Sequence, residues 1–448
     1  MDPLLATLVL ILLALLGARF SFSTERVPAG PRLLFRTGTH FLLLGFLLGP
    51  SGLELFSRSA LDGLFPLLGL GLGWIGLLFG LQLDRPILRR FPRPFYVLAI
   101  GQSVLTLLIV GGVALAALRL AGVGGDAAVA LALGAAATAS VSTPAGIAMV
   151  SSNFLVRGNV RLFLFFAASF DGIVGIVAIH FVYAYLHGSP VLVGPDELGL
   201  LFWSLMGVGL GLLCGIVFLW LIRLRPAREE LVLYLLGLSA LAAGSALQLQ
   251  LSPLFVSMVL GTVVAQMAPP DERARVYQAL SQWEKPIYVV LLLLTGALLR
   301  FPTWWIAPLT LGYVLVRGIA KVAGSAALVT LARPPFSPPR RMGLGLVPQG
   351  GLALAMALSL ELTLGRTDVL VAGWSAVDLL FAMLVIGVVL SELVGPMFTI
   401  QVLRRAGEIS PRVEKALEEG DEARARAEAL RHAPSVAGPP EPGGGAKP

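Results

Sequence analysis

The sequence predicts an all-α membrane protein of about thirteen transmembrane helices, built as inverted six-helix repeats with two discontinuous helices that cross. Three observations carry that expectation. The 448 residues are 56% hydrophobic and 13% charged, with a mean hydropathy of +0.85, whereas soluble domains carry roughly a quarter of their residues as Asp, Glu, Lys or Arg. The basic residues gather in every second connection between apolar runs. Two of the runs are interrupted by Pro and Gly at matching places in the two halves.

A helix needs about 20 apolar residues to span hydrocarbon. Runs of that kind fall at 3–21, 34–50, 63–83, 93–117, 127–150, 160–186, 198–222, 229–248, 252–268, 285–299, 303–331, 343–361 and 371–402. Residues 4–16 resemble a signal-peptide core, but no basic stretch precedes them and no small-residue cleavage site follows, so they are expected to stay as a helix. The single cysteine, Cys214, lies inside an apolar run and excludes both an internal disulfide and a cysteine-based metal site. Residues 1–405 form the predicted membrane domain. Residues 406–448 are polar, with EKALEEGDEARARAEALR followed by Pro and Gly, and predict a cytoplasmic tail that is a short helix and then largely disordered.

The net charge of +7 raises the question of an acidic partner such as nucleic acid. Its distribution answers against one. Arg19, Arg26, Arg32 and Arg36 fall in the first connection, Arg85, Arg89, Arg90 and Arg93 in the third, and Arg157 and Arg161 in the fifth. Arg223, Arg225 and Arg228 follow, then Arg273, Arg275 and Lys285, then Arg333, Arg340 and Arg341. These nineteen face four in the intervening connections, Arg58, Arg119, Arg300 and Arg366. Positive charge marks the cytoplasmic side, so the N-terminus is expected outside and the C-terminus inside. Six helices, a linker helix and six more give halves that enter the membrane from opposite sides, the plan of inverted-repeat transporters. A short internal echo agrees: LLFGLQLDRPILRRFP at 77–92 resembles LLLTGALLRFP at 292–302.

Unwound backbone at the midplane frees carbonyls that coordinate ions, provided it lines a cavity. The fifth run, GAAATASVSTPAGIAMV, carries Thr138, Ser140, Ser142 and Thr143 into Pro144 and Gly146. The twelfth, GLGLVPQGGLALAMALS, carries Pro348, Gln349, Gly350 and Gly351. A mere kink is the plain reading of either alone; the symmetric pair favours a functional break. Asp171 stands mid-way along the sixth run, where an acid costs roughly 2.5–3.5 kcal/mol. Its alternative is a permanently protonated acid bridging two helices. Gly172 and Gly175 thin the helix around it. Arg317 and Lys321 share a helix face, Lys321 having snorkelling as its alternative, and Glu392 is the expected structural partner. Glu361 and Asp378 are expected at a solvated boundary, and His180 at the membrane interface. Gln102 can hydrogen-bond across the core. No GxxxxGK loop and no His/Cys zinc spacing occur. The sequence therefore predicts a secondary transporter and not an enzyme, with no cofactor beyond its transported ions.

Beyond these features, a set of motifs resembles the monovalent cation:proton antiporter-2 family of sodium/hydrogen exchangers over about residues 33–407. HFLLLGFLLGPSGLELF and GWIGLLFGLQLD come first, followed in the family's order by LSPLFVSMVLGTVVA, EKPIYVVLLLLTGALLR, RGIAKVAG, GLGLVPQGGLAL and SELVGPMFTIQVLRRAGE. The resemblance implies the sodium/proton antiporter fold, with core helices at about 93–186 and 303–402 moving past dimerisation helices formed by the remainder, in a homodimer within the lipid bilayer. It implies exchange of Na+ or K+ for H+ by alternating access, with Asp171 as the shared proton and cation site. The Thr143 hydroxyl, Ser140, Ser142 and carbonyls around Pro144 and at Pro348, Gln349 and Gly350 would add oxygens. The family's paired acids read here as Phe170 and Asp171. The lost first acid implies electroneutral exchange, and leaves Lys321 or Arg317 to seek Glu392. PQGG also lacks the acid that many members carry there, and the tail is too short for the nucleotide-binding domain of the glutathione-gated branch. Two other readings stand beside this one: a sodium-coupled organic-anion transporter of the same shape, and a degenerate non-transporting sensor or scaffold, suggested by the missing acid. The Ala-, Gly-, Leu- and Arg-rich composition points to a bacterial inner membrane.

Overall fold

The computed structural model describes residues 3–20, 38–187, 199–301, 303–365, 369–371, 373–419, 424, 427 and 428. In chain order the helices are α1 (Pro3–Phe20), α2 (Thr39–Leu48), α3 (Arg58–Gly63), α4 (Phe65–Leu81), α5 (Arg85–Leu88), α6 (Arg93–Leu120), α7 (Gly125–Ser140), α8 (Pro144–Asn153) and α9 (Asn159–His187). There follow α10 (Gly199–Arg223), α11 (Arg228–Gln248), α12 (Pro253–Met267), α13 (Pro270–Leu298) and α14 (Ile306–Ala332). A 3₁₀ turn (Met342–Leu346), α15 (Gly351–Leu364), the hairpin β1 (Leu370–Val371) and β2 (Trp374–Ser375), α16 (Ala376–Arg405) and α17 (Pro411–Glu418) complete the chain. Among the described residues seven spans are long and apolar enough to cross a membrane: α6, α7 with α8, α9, α10, α11, α14 and α16. Helices α2, α4, α12 and α15 are apolar but shorter.

Local chemistry sets the ends. Pro144, Pro253 and Pro270 open α8, α12 and α13, where a missing N–H costs nothing. Ser57 and Ser252 cap α3 and α12 by accepting from Ala60 and Phe255 N–H, each at 3.3 Å. The bounds depart from expectation in four places. Helix α13 runs 29 residues through what was expected to be a cytoplasmic connection before 285. Its polar first half still buries Val276, Ala279 and Leu280 at helical spacing, and Arg273 on it pairs with Asp84 at 2.8 Å. Two expected connections hold the short helices α3 and α5. The last span begins at Ala376 instead of 371, because β1 and β2 turn the chain first and Ser375 caps the helix, accepting from Asp378 N–H at 3.2 Å.

Two sets of helices pack chiefly on themselves: α6–α9, α14–α16 and the 3₁₀ turn in one, α2, α4 and α10–α13 in the other. They meet where α9 lies on α10 and α13 on α15. In the second set backbones touch. A Cβ at Gly45 of α2 would fall on the Leu293 carbonyl of α13, and one at Gly296 of α13 on the Leu42 carbonyl, the close approach that small residues permit between membrane helices. The start of the tail is part of the packed structure: Ile409 is buried, and Val413 and Ala416 of α17 cover Leu155 in the α8–α9 connection. Residues 429–448 lie outside the described residues.

Candidate functional site

The fifth and twelfth predicted runs are both broken, and the breaks cross. Helix α7 ends at Ser140 and α8 starts at Pro144, with Val141 and Thr143 extended between them. Opposite, the 3₁₀ turn ends at Leu346 and α15 begins at Gly351, with Gly350 extended. A residue before proline is disfavoured in the helical region; Thr143 follows this rule and is extended, whereas Val347 keeps helical angles and the extended residue of the second break is Gly350. Thr143 N–H donates to the Pro348 carbonyl at 2.9 Å. The Ser142 hydroxyl donates to the Leu346 carbonyl at 2.7 Å, and Gln349 Nε2 to the Thr138 carbonyl at 3.0 Å. Glycine at 350 is required by this approach, since a Cβ there would lie 2.6 Å from Thr143 Oγ1.

Broken helices leave carbonyls without helical donors, and in an apolar interior these need partners. Arg317, buried on α14, supplies most of them. Its Nε donates to Ala139 O at 2.9 Å, Nη1 to Val347 O at 2.6 Å, and Nη2 to Val141 O at 2.6 Å and Leu346 O at 3.3 Å. One guanidinium thus ties both breaks together. Lys321, fully buried on the same face, donates to Ser140 O and to Asp171 Oδ2, both at 2.6 Å. Asp171, fully buried on α9, also accepts from Nε2 of Gln102 on α6. The carboxylate therefore sits between an ammonium and an amide. Gln102 Oε1 and Gln349 Oε1 are both buried with no hydrogen-bond partner among the described residues.

The structure brings together Asp171, Lys321 and the Ser140 carbonyl, with Arg317, Ser142, Pro348, Gln349 and Gly350 in the crossing beside them. Thr143 Oγ1 caps α8, accepting from Ala145 N–H at 3.3 Å. The Ser140 hydroxyl donates to Ala137 O at 2.7 Å, and a Cβ on Gly175, one turn beyond Asp171, would lie 3.2 Å from it. Glu392 is not the partner of either buried cation. Both side chains point into the breaks, where Asp171 and the freed carbonyls satisfy them, while Glu392 is half-buried elsewhere on α16. His180 is buried between helices, its ring stacked 3.8 Å from Phe255, with Nε2 3.2 Å from the Ser204 carbonyl. Asp378 pairs with half-exposed Arg300 at 3.4 Å. Gln102 was the residue undervalued by sequence reasoning. Its signal is a lone amide in the apolar run 93–117, which only the packing of α6 against α9 connects to Asp171. Among the described residues no cluster of three or more His, Cys, Asp or Glu could hold a metal ion.

A helical bundle whose two interrupted helices cross beside buried charges has the architecture of a secondary transporter. Residues 6–405 match the family described as sodium/hydrogen exchanger, transmembrane, and the chain belongs to that family. Its fold is similar to that of the sodium proton antiporter MjNhaP1 from Methanocaldococcus jannaschii. The structure of that protein at pH 8 aligns with a TM-score of 0.64 and 17% identity, covering 91% of this chain and 99% of that one. A second structure of it, from an electron-microscopy map, gives 0.62 and 17%, covering 92% and 100%. Among curated proteins no sequence matches this chain.

Proposed function

We propose that this protein exchanges one monovalent cation, Na+ or K+, for one proton by alternating access, with Asp171 as the site they share. The observation that carries the reading is the fully buried ion pair of Lys321 and Asp171, 2.6 Å apart, beside crossed helix breaks. A single carboxylate neutralises a single positive charge. The Lys321 ammonium and a metal cation therefore compete for it. When the cation takes Asp171, Lys321 gives up its proton and releases the Ser140 carbonyl, which becomes a second oxygen ligand; Ser140 and Ser142 hydroxyls and Thr143 lie in the same crossing. When the proton returns, the ammonium displaces the cation. Either form of the site is neutral, and a neutral site moves through a low-dielectric barrier far more cheaply than a charged one. One proton is then traded for one cation, without net charge.

The two sets of helices are the natural moving parts, α6–α9 and α14–α16 carrying the site past the others. The others would form a homodimer, with the N-terminus outside and the C-terminus cytoplasmic, an orientation that the arginine distribution supports. An organic anion would have to compete with Asp171 and the Ser140 carbonyl for Lys321, and with four backbone carbonyls for Arg317.

The test is exchange in proteoliposomes carrying a trapped pH dye. Addition of Na+ or K+ should dequench the dye with wild-type protein, without current under voltage clamp, and should not with Asp171→Asn. A wild type silent to every alkali cation, or an undiminished variant, would overturn the reading.

A further inference from the structure

We infer that Gln102 is a cation ligand that sets ion affinity and selectivity, turning its amide from donor to acceptor as a metal ion replaces the Lys321 ammonium at Asp171. This rests on the exchange mechanism proposed above. It is carried by the juxtaposition of two ends of one fully buried side chain. Gln102 Nε2 donates to Asp171 Oδ1, while Oε1, also buried, has no hydrogen-bond partner among the described residues. An amide offers two donors on one side and an acceptor on the other. Beside a carboxylate it must present the donor side, because two oxygens facing each other repel. That choice strands the acceptor in an apolar interior, a costly arrangement for a side chain whose only role is structural.

The cost is recovered in the other half of the cycle. With a cation on Asp171, the neighbouring group of greatest use is an oxygen, and alkali cations shed water to carbonyl oxygens of this kind. Rotation about the last side-chain bond exchanges the amide's nitrogen and oxygen at almost constant volume. Nothing else need move: the backbone of Gln102 is fixed by the Thr106 hydroxyl, which donates to its carbonyl at 2.8 Å, and by α14, where a Cβ on Gly324 would lie 3.2 Å from that carbonyl. The cation then has one formal negative charge, from Asp171, and neutral oxygens from Gln102 and the Ser140 carbonyl. The lost first acid of the helix is thereby replaced, from another helix, by a group that titrates at no working pH.

The experiment compares wild type, Gln102→Met, which keeps length but forms no hydrogen bonds, and Gln102→Glu, which keeps an oxygen. Rates are measured in proteoliposomes over Li+, Na+ and K+ and over pH. In Gln102→Met the cation KM should rise about tenfold, the equivalent of one lost ligand, and the differences among alkali cations should shrink. The maximal rate should stay within about threefold. Gln102→Glu should keep a low KM but gain a second titrating group, which moves the pH profile. If Gln102→Met fails to fold, Gln102→Glu decides. An unchanged pH profile there, or in Gln102→Met a KM and alkali order matching wild type, or a lost maximal rate at constant KM, overturns the inference. Where wild type exchanges and Asp171→Asn does not, such a result removes the Gln102 role alone; where wild type itself fails to exchange, the mechanism of the site falls first.

Discussion

Replacing Arg317 by Lys retains the positive charge yet should dismantle the crossing. Arg317 makes three contacts of 2.6–2.9 Å and one of 3.3 Å to carbonyls on both breaks. Hydrogen bonds to a charged donor contribute about 1.5–3 kcal/mol each. A lysine ammonium is a point donor that cannot span two breaks as a planar fork does. If it leaves two carbonyls without donors, the loss is about 3–6 kcal/mol, a large share of the 5–15 kcal/mol that typically holds a fold. Arg300→Ala is the control, because its pair with Asp378 is 3.4 Å long and partly exposed and such pairs contribute at most about 1 kcal/mol. Thermal melting of the detergent-purified protein, followed by size-exclusion chromatography, should show Arg317→Lys well below both wild type and control. A melting midpoint within about 1 °C of wild type, against the roughly 3 °C that about 3 kcal/mol would produce in a chain of this length, would refute the idea that this guanidinium holds the breaks together.

Lys321→Met should leave Asp171 to carry the proton itself, so exchange stays electroneutral but its pH profile moves to more acid values, because a carboxylic acid releases its proton more readily than an ammonium; an unmoved profile in the proteoliposome assay would mean that Lys321 is not the proton's seat. Gly45→Ala and Gly296→Ala each set a methyl against a carbonyl of the facing helix, and should cost about 1–3 kcal/mol by overpacking, whereas Gly112→Ala, with open space around it, should melt like wild type. Glu408, beyond the last span, accepts from Val160 N–H at 2.6 Å and Arg161 N–H at 2.9 Å. Burial raises its carboxyl above the usual range, against the lowering pull of those two amides and the Arg161 charge. A raised value means that the folded state favours the protonated form, so the stability this group adds is present in acid and lost as pH climbs through the raised value. Measured against Glu408→Gln, which does not titrate, the wild type should therefore lose melting temperature as pH climbs from the ordinary glutamate range, about 4.3, toward neutral. A constant difference across that range would indicate that the amide bonds outweigh burial.

What was legible in the sequence follows from how far each residue's effect reaches. Proline and glycine act on their own backbone, so Pro144 and Pro348 marked both breaks, and the run of polar residues before Pro144 marked the first as more than a kink. Asp171 stood out because an acid in hydrocarbon is costly wherever its partners lie. Partners, by contrast, depend on packing. The symmetry of the two halves suggested Glu392 for the buried cations, but a long side chain four residues from Arg317 goes where oxygens are, and the Ser140 carbonyl and Asp171 were nearer to hand. Gln102 drew less notice because a neutral amide is far cheaper to bury than a charge. The continuous α13 hid behind its polar first half, whose apolar residues recur only once per turn.

Arg317 and Lys321 occupy one face of one helix, yet their chemistry divides the labour of the crossing. Freed carbonyls attract cations, and a protein that breaks two helices in hydrocarbon must supply cations of its own to cover them. An arginine cannot release its proton, so the carbonyls of Ala139, Val141, Leu346 and Val347 are held in every state and the breaks keep their shape. A lysine can release its proton, so the Ser140 carbonyl and Asp171 are covered only conditionally. The oxygens that a transported cation would need are those under the removable cover, and those that must not wander are under the fixed one. Exchanging the two residues would preserve composition, charge and helix face, and would still invert this arrangement, leaving the carboxylate permanently occupied and the scaffold dependent on a proton.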